Sequence, residues 1–491
     1  VRVYGKFESF NLILLNFLLL LLLPECGEHS NDSLSADNIN LIFVVSSDLA
    51  YHGPGDIDPD TANYTNQGLQ RALSMATYLK EKVLGNENVS SIYALAPMTH
   101  LQTANNYPDM NAIGSIQQFA LLNQHTVAIP PAAGYSSYTA YSYPIKAAYA
   151  EDSVSDGVVV PEVYCPDCVG LNFNDTNNKN IDIATGIIEE DIPGFYVFSA
   201  PWETSSALMD KINQYCGNVL DIPMNYRGPN IVYVITISPD GNARLITYDA
   251  NLMPPSTYPE LPAPVVEAPC TYSQQPYSKI FLQGGVDGIV VPSNINTNET
   301  VYIVRHAEAH PDPAPAFENG NFVGAGQWRA LDLPNALSGK ISPDMVYSCD
   351  PAQWFSTKTI NPSDYINVSY VRPSLTVWPY VVANNLPYYL VSDFSVLESN
   401  QAKLASDFFF TGDTFSNQSI LLAWESTRIK PIINELLKSY GATGLLDEAW
   451  PVTDYDTIWT VTIDASGNLT VENDLCEGID SDTLPEQAPR F

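Results

Sequence analysis

In Val301-Tyr-Ile-Val304-Arg305-His306-Ala307-Glu308 a strand runs straight into a charged turn. The first four residues are β-branched, aliphatic or aromatic, the composition of a short strand buried on both faces. Arg305 and His306 then fall at its carboxyl end. Ligands of open α/β sheets collect at that end. The spacing therefore predicts a strand that delivers a guanidinium and an imidazole to a binding edge.

The same pattern is written earlier in the chain. Leu41-Ile-Phe-Val44 precedes Thr65-Asn-Gln-Gly68-Leu-Gln-Arg71-Ala72, as the quoted strand precedes Gly324-Ala-Gly326-Gln-Trp-Arg329-Ala330, so Gly-x-x-Arg-Ala recurs at an offset of 258. Next, Gly194-Phe-Tyr-Val-Phe-Ser-Ala-Pro-Trp202-Glu203-Thr204 matches Ile420-Leu-Leu-Ala-Trp424-Glu425-Ser426 at an offset of 222. Then Val234-Ile-Thr-Ile-Ser-Pro-Asp-Gly241-Asn242 matches Thr460-Val-Thr-Ile-Asp-Ala-Ser-Gly467-Asn468 at 226. Three matches in one order predict an internal repeat. The fall from 258 to 222 gives the first copy about 36 extra residues, a loop insertion within 135–190.

Each copy alternates strand and helix signals. Leu69, Ala72, Leu73, Ala76 and Leu79 keep a helical period, as do Ile429, Ile432, Ile433, Leu436, Leu437 and Tyr440, with Gly441 as a stop. Gly241 and Gly467 read as hairpin turns. The predicted fold class is α/β: two tandem three-layer α/β/α domains, each around a mostly parallel central sheet. Expected boundaries are an N-terminal segment at 1–30, a first domain at 38–250, a proline-rich linker at 251–298, a second domain at 299–478 and a tail at 479–491. The Tyr- and Pro-rich residues 132–149 read as a surface loop.

Composition sets the environment. The chain has 491 residues, 45% of them hydrophobic, enough for real cores. Against 21 Lys and Arg stand 55 Asp and Glu, a formal charge of −34. Such a surface repels polyanions, which makes nucleic acid and anionic membrane poor partners, and no nucleic acid is expected. A phosphorylated ligand would need local cations. Arg2 and Lys6 precede the apolar run Asn11-Leu-Ile-Leu-Leu-Asn-Phe-Leu-Leu-Leu-Leu-Leu-Leu23, which suits a signal-peptide core and is short for a membrane span. Either a cleaved signal or an uncleaved anchor implies export, to the periplasm or outside the cell. Beyond Cys26 lie six cysteines, Cys165, Cys168, Cys216, Cys270, Cys349 and Cys476, whose pairing the sequence leaves open. Cys165-Pro-Asp-Cys168 reads as a disulfide or loop staple. The histidines are few and scattered, so no metal and no cofactor is expected.

Two more segments add chemistry. Arg372, in Ser369-Tyr-Val-Arg372-Pro373-Ser-Leu-Thr376, stands at a helix entry, where Pro373 and neighbouring N–H groups suit an anion. Trp424-Glu425-Ser426 ends a further strand run. Arg-His-Ala-Glu after a strand, Gly-x-x-Arg-Ala on a helix, a later Arg and a strand ending near Trp-Glu resemble the histidine phosphatase (phosphoglycerate-mutase-like) superfamily. The resemblance spans about 299–475 and, in outline, about 40–250.

The resemblance implies a phosphomonoester hydrolase. His306 would be the nucleophile, attacking phosphorus as a neutral imidazole and forming a phosphohistidine. Arg305 and Arg372 would clamp the phosphoryl oxygens. Glu425 or Glu308 would protonate the leaving oxygen. The family's second histidine aligns with Ser426, and this chain has no histidine after His310. Ser426, Arg428 or His310 would have to stand in, and losing one such donor typically costs on the order of 100- to 1000-fold in rate. In the first copy Val45-Ser46, or Ser46-Ser47, replaces Arg-His, Thr204 replaces the later histidine, and the segment around His100 has no arginine. That copy reads as structural or partner-binding. The expected ligand is a phosphorylated small molecule or phosphate itself. The alternative is a non-catalytic exported binding or scaffold protein built on two phosphatase-like domains.

Overall fold

In the computed structural model the described residues are 34–491 apart from 129–136, 150–168, 176, 218–219, 273, 310–318, 359–364 and 395–398. The expected N-terminal segment, the Cys165-Pro-Asp-Cys168 pair, His310 and part of the predicted insertion lie outside them. No helix among the described residues is long and apolar enough to cross a membrane.

Among the described residues the main sheet of the first half has six strands, β1 (Ile39–Val45), β2 (Ser91–Ala94), β3 (Ile145–Lys146), β4 (Gly194–Ala200), β5 (Ile231–Ile237) and β6 (Ala243–Asp249), ordered β6-β5-β1-β4-β2-β3. The second half builds β7 (Lys279–Leu282), β8 (Glu299–Arg305), β9 (Met345–Cys349), β10 (Tyr388–Val391), β11 (Ser419–Trp424), β12 (Thr457–Ile463) and β13 (Leu469–Cys476), ordered β7-β13-β12-β8-β11-β9-β10. Without the edge strand β7, the two orders are the same. In each sheet four strands run parallel, and a hairpin (β5–β6 or β12–β13) extends it antiparallel. Gly241 and Gly467 sit in those hairpin turns at φ of 82° and 77°, conformations that a side chain resists.

Side-chain alternation sorts each strand onto two helix layers. In β1, Ile42 and Val44 pack towards α1 (Asn66–Tyr78) and α2 (Asn111–Leu121), while Leu41, Phe43 and Val45 face α3 (Lys179–Glu190) and α4 (Trp202–Cys216). In β8, Val304 faces α5 (Gly324–Ala336) and α6 (Arg372–Asn384), while Val301 and Ile303 face α7 (Ala402–Phe410) and α8 (Ser426–Ser439). The class is α/β, with three layers around each sheet.

The layer of α1, α2, α5 and α6 is common to both halves, and its apolar side chains form one continuous core. Trp378 of α6 seats on Gly114 of α2 so closely that a Cβ at Gly114 would lie 2.2 Å from the indole. Gln117 and Asn321 exchange hydrogen bonds of 2.9 and 3.0 Å across this layer. Leu34–Phe491 is accordingly one compact unit. Within the stretch 251–298, Tyr258 donates to the Leu331 carbonyl at 2.8 Å and Cys270 forms a disulfide with Cys476.

One expectation needs correcting. Residues 137–149 are not a surface loop: Ser137–Tyr141 pairs with Gln124–Ala128, and Ile145–Lys146 is the edge strand β3. Ala147, Ala148 and Tyr149 are buried, and Tyr149 donates to Asp350 of the other half at 2.9 Å. Aromatic and proline content signalled a loop, but the Tyr149 ring packs on the other half beside Ala352, a contact that local composition does not reveal.

Candidate active site

β8 lies at the middle of its sheet, parallel to β11, with Arg305 opposite Trp424. His306 N donates to the Trp424 carbonyl at 3.2 Å, continuing the pairing one residue past the strand. The ends of β8 and β11 are thereby adjacent, and Arg305-His306 meets Glu425-Ser426 at one edge.

The turn after β8 is fastened to α6. Ala307 N donates to Thr376 Oγ1 at 2.8 Å, and that hydroxyl donates to the Arg372 carbonyl at 2.7 Å. Arg372 is the first residue of α6 and Pro373 the second. The N–H groups of Val371 and Arg372 both donate to the Gly320 carbonyl, so this helix start presents fewer open donors than the sequence suggested. Gly320 itself has φ of 76°, and a Cβ there would fall 1.7 Å from the Ser369 carbonyl.

Two tyrosines frame the imidazole. His306 is buried and meets the rings of Tyr370 and Tyr455 edge-on, at centroid distances of 6.2 and 6.3 Å. Each ring also carries a guanidinium. Arg372 lies over Tyr370 at 4.9 Å and Arg305 over Tyr455 at 3.9 Å. Burial pushes the Tyr370 hydroxyl well above its ordinary range, with Arg372 opposing and Glu425 adding to the shift. Tyr370 therefore stays neutral between Arg372 and Glu425.

The imidazole tautomer follows from one contact. His306 Nδ1 is 2.8 Å from the Ala307 carbonyl, which can only accept. Nδ1 then carries the proton, and the lone pair of the neutral ring resides on Nε2. Arg305 is held through Nη1, which donates to the carbonyls of Val452 at 2.7 Å and Asp454 at 2.9 Å. The Asp454 carboxylate shapes that loop by accepting from Asp456 N, Thr457 N and Thr457 Oγ1. Arg305 Nε is buried with no hydrogen-bond partner among the described residues, a donor that an anion oxygen would satisfy.

The two candidate acids stand differently. Glu308 Oε1 accepts from Arg329 Nε at 2.9 Å and from Ser481 Oγ at 2.8 Å. Arg329 is fully buried and also meets Glu477 at 2.5 Å and Asp456 at 3.7 Å. Glu308 is thus the counter-ion of the repeated Gly-x-x-Arg-Ala arginine. Glu425 is half-buried at the N-cap of α8 and accepts from Ser426 Oγ at 3.2 Å and Thr427 Oγ1 at 2.6 Å. Ser426 and Arg428 occupy the first turn of α8, Ser426 buried and Arg428 half-buried.

Sequence reasoning missed Tyr370, Tyr455, Thr376 and Gly320. Tyr455 lies far along the chain from Arg305, and no spacing rule connects them.

The first half resolves an ambiguity. Ser46 N donates to the Ala200 carbonyl as His306 N does to Trp424, so Val45-Ser46, not Ser46-Ser47, stands where Arg305-His306 stands. The same register corrects the Trp-Glu match. Trp424 ends β11, whereas Trp202 is the first residue of α4, the place that Ser426 holds in α8. Pairing and helix start override a two-residue sequence coincidence, so Trp202 rather than Thr204 corresponds to Ser426.

No family model matches the chain, and no curated protein matches it. Among solved structures it is similar to a phosphoserine phosphatase from Entamoeba histolytica in complex with phosphoserine, at 14% identity and a TM-score of 0.23, over 36% of this chain and 97% of that one. It is also similar to the protein histidine phosphatase SixA complexed with tungstate, at 18% identity and a TM-score of 0.21, over 36% of this chain and 97% of that one. A putative phosphohistidine phosphatase SixA from Agrobacterium tumefaciens gives 17% identity and a TM-score of 0.21, over 34% of this chain and 92% of that one. Likeness of this size carries no weight for function, which rests on the residues themselves.

Proposed function

We propose that the chain is an exported phosphomonoesterase of the histidine phosphatase type, working at the end of β8 in the second of two duplicated domains. The reading is carried by one observation: His306 sits between two tyrosines that each hold an arginine, with its Nδ1 proton tied to the Ala307 carbonyl. Nε2 would attack phosphorus while Arg305 and Arg372 take the charge of the equatorial oxygens. The P–O bond to the leaving group breaks as its oxygen takes a proton from Glu425, and water then attacks phosphorus, giving a proton back to Glu425 as the P–N bond breaks and phosphate leaves. Glu425 fits that role better than Glu308, whose carboxylate is the counter-ion of Arg329. Ser426 at the second-histidine position implies a slow enzyme.

Export is supported by the apolar N-terminal run and by the Cys270–Cys476 disulfide, since such bonds persist in oxidising compartments. The shared strand order supports duplication. A non-catalytic phosphate binder is the second reading, favoured by Glu425, whose two oxygens are both engaged by neighbouring hydroxyls, those of Ser426 and Thr427.

The deciding experiment is release of p-nitrophenol from its phosphate ester by the intact chain, compared with His306→Ala, and trapping of a phosphorus-labelled phosphoenzyme by an alkaline detergent quench. Release that His306→Ala abolishes, with acid-labile label on the wild type, supports the enzyme. Equal rates in both proteins would sink it.

A further inference from the structure

At the carboxyl edge of the first sheet the charge is reversed. Ser46 holds the place of His306, and two residues on Asp48 holds that of Glu308. At the start of α2, Asn111 takes the helix position that Arg372 takes in α6, with Asp109 just before it. His100 follows a short turn after β2. The histidines that look scattered along the sequence do not predict this convergence: one ligand atom from each of Asp48, His100 and Asp109 lies within 4.8 Å of the others.

The cluster is built rather than incidental. Asp48 Oδ2 is 2.6 Å from His100 Nε2, and the His100 ring stacks on Phe173 at 3.6 Å, which sets its plane. Asp109 N donates to the His100 carbonyl at 3.1 Å, so two of the three groups are tied through backbone. Asp109 is fully buried. Its Oδ1 accepts from Asn111 N at 3.0 Å, but its Oδ2 has no hydrogen-bond partner among the described residues. Gln102 packs on the same loop, accepting from Leu49 N through Oε1 at 3.1 Å.

Two buried carboxylates thus share one imidazole. Neither is salt-bridged to Lys or Arg among the described residues. In the second half Arg329 neutralises Glu308, whereas its counterpart Arg71 pairs with Asp56 at 2.9 Å. Two carboxylates in so buried a place, one of them with an oxygen that nothing among the described residues satisfies, lack compensation for their charge. A divalent cation supplies that compensation. One nitrogen and two oxygen donors suit zinc-like transition ions better than calcium or magnesium, which prefer all-oxygen shells. Three protein ligands leave further positions for water, and the partly exposed His100 gives the way in.

We propose that Asp48, His100 and Asp109 bind one zinc-like divalent ion at the edge where the second half is built for an anion. The test is titration of the untagged, chelator-stripped full chain with Co2+, followed by displacement with Zn2+. The expected result is one equivalent with visible d–d bands and no near-ultraviolet thiolate band, which would instead report Cys165 and Cys168. Asp109→Asn, whose amide oxygen can still accept from Asn111 N, and His100→Gln each weaken binding at least about tenfold. Each also abolishes the metal-induced rise in melting temperature, while the exposed control Asp240→Asn changes neither. No saturable Co2+ binding, equal affinity in both variants, thiolate bands alone, or equally tight Ca2+ binding would overturn the proposal.

Discussion

Arg305 lies face-on over the ring of Tyr455, its guanidinium carbon 3.9 Å from the ring centroid. The ring meets His306 with its other contact, so one aromatic side chain positions both Arg305 and His306, the proposed clamp and nucleophile. Cation–π contacts of this kind contribute about 1–2 kcal/mol when desolvated. Tyr455→Ala is therefore expected to weaken phosphate binding by about 5- to 30-fold, and Tyr455→Phe to retain most of it. Inhibition of p-nitrophenyl phosphate hydrolysis by inorganic phosphate measures both.

Arg372 tests the second arm of the proposed clamp. Lysine keeps the charge but loses the planar fork and the stacking on Tyr370. Arg372→Lys is expected to lower kcat/KM by about 10- to 100-fold, the value of a charged hydrogen bond. A variant with full activity would remove Arg372 from the site.

Ser426 opens α8 and gives its hydroxyl to Glu425. Ser426→His would add a second donor beside His306 and break that bond at once. Its expected effect is a gain on the order of 100-fold in kcat, by the size of oxyanion-donor deletions. Hydrolysis unchanged by the substitution would mean that Ser426 is not what limits the site.

Arg329 is surrounded by Glu308, Glu477 and Asp456. Burial raises the Glu477 carboxyl even beside that arginine, because the cluster has one cation for its carboxylates. Arg329→Met strands these charges, at a cost of about 3–5 kcal/mol, read from urea unfolding. Much of the turn after β8 would loosen with it, since Glu308 belongs to that turn.

Glu299 begins β8, buried, with Asn296 its hydrogen-bond donor at 3.2 Å. Burial pushes its carboxyl up to about 8 from an ordinary 4.5. The folded chain therefore holds a proton that the unfolded chain releases. This contribution is full below about pH 4.5 and is lost as pH rises through about 8. Glu299→Gln is expected to flatten the decline in melting temperature between these limits. An identical decline in both proteins would refute the assignment.

The binding edge itself was legible because strand runs and charged turns are local. β-branched residues from Val301 to Val304 announce a buried strand, and whatever follows such a strand must emerge at its carboxyl end. The helical stripe from Ile429 to Tyr440 and the stop at Gly441 were equally local, and α8 follows them. The Trp202 match failed for the converse reason: identity of two letters says nothing about whether they end a strand or start a helix.

The sequence by itself determined the α/β alternation, the placing of Arg305-His306 at a strand end, and the loss of that pair in the first half. Only the tertiary structure decided which groups meet there. It brought Tyr370 and Tyr455 against His306, and gave Glu308 to Arg329 rather than leaving it free for the site. It also drew Asp48, His100 and Asp109 together from three separate loops. Periodicity is written in neighbouring residues, whereas charge pairing is settled by which distant side chains share a buried space. The Arg305–Tyr455 contact belongs to that second kind.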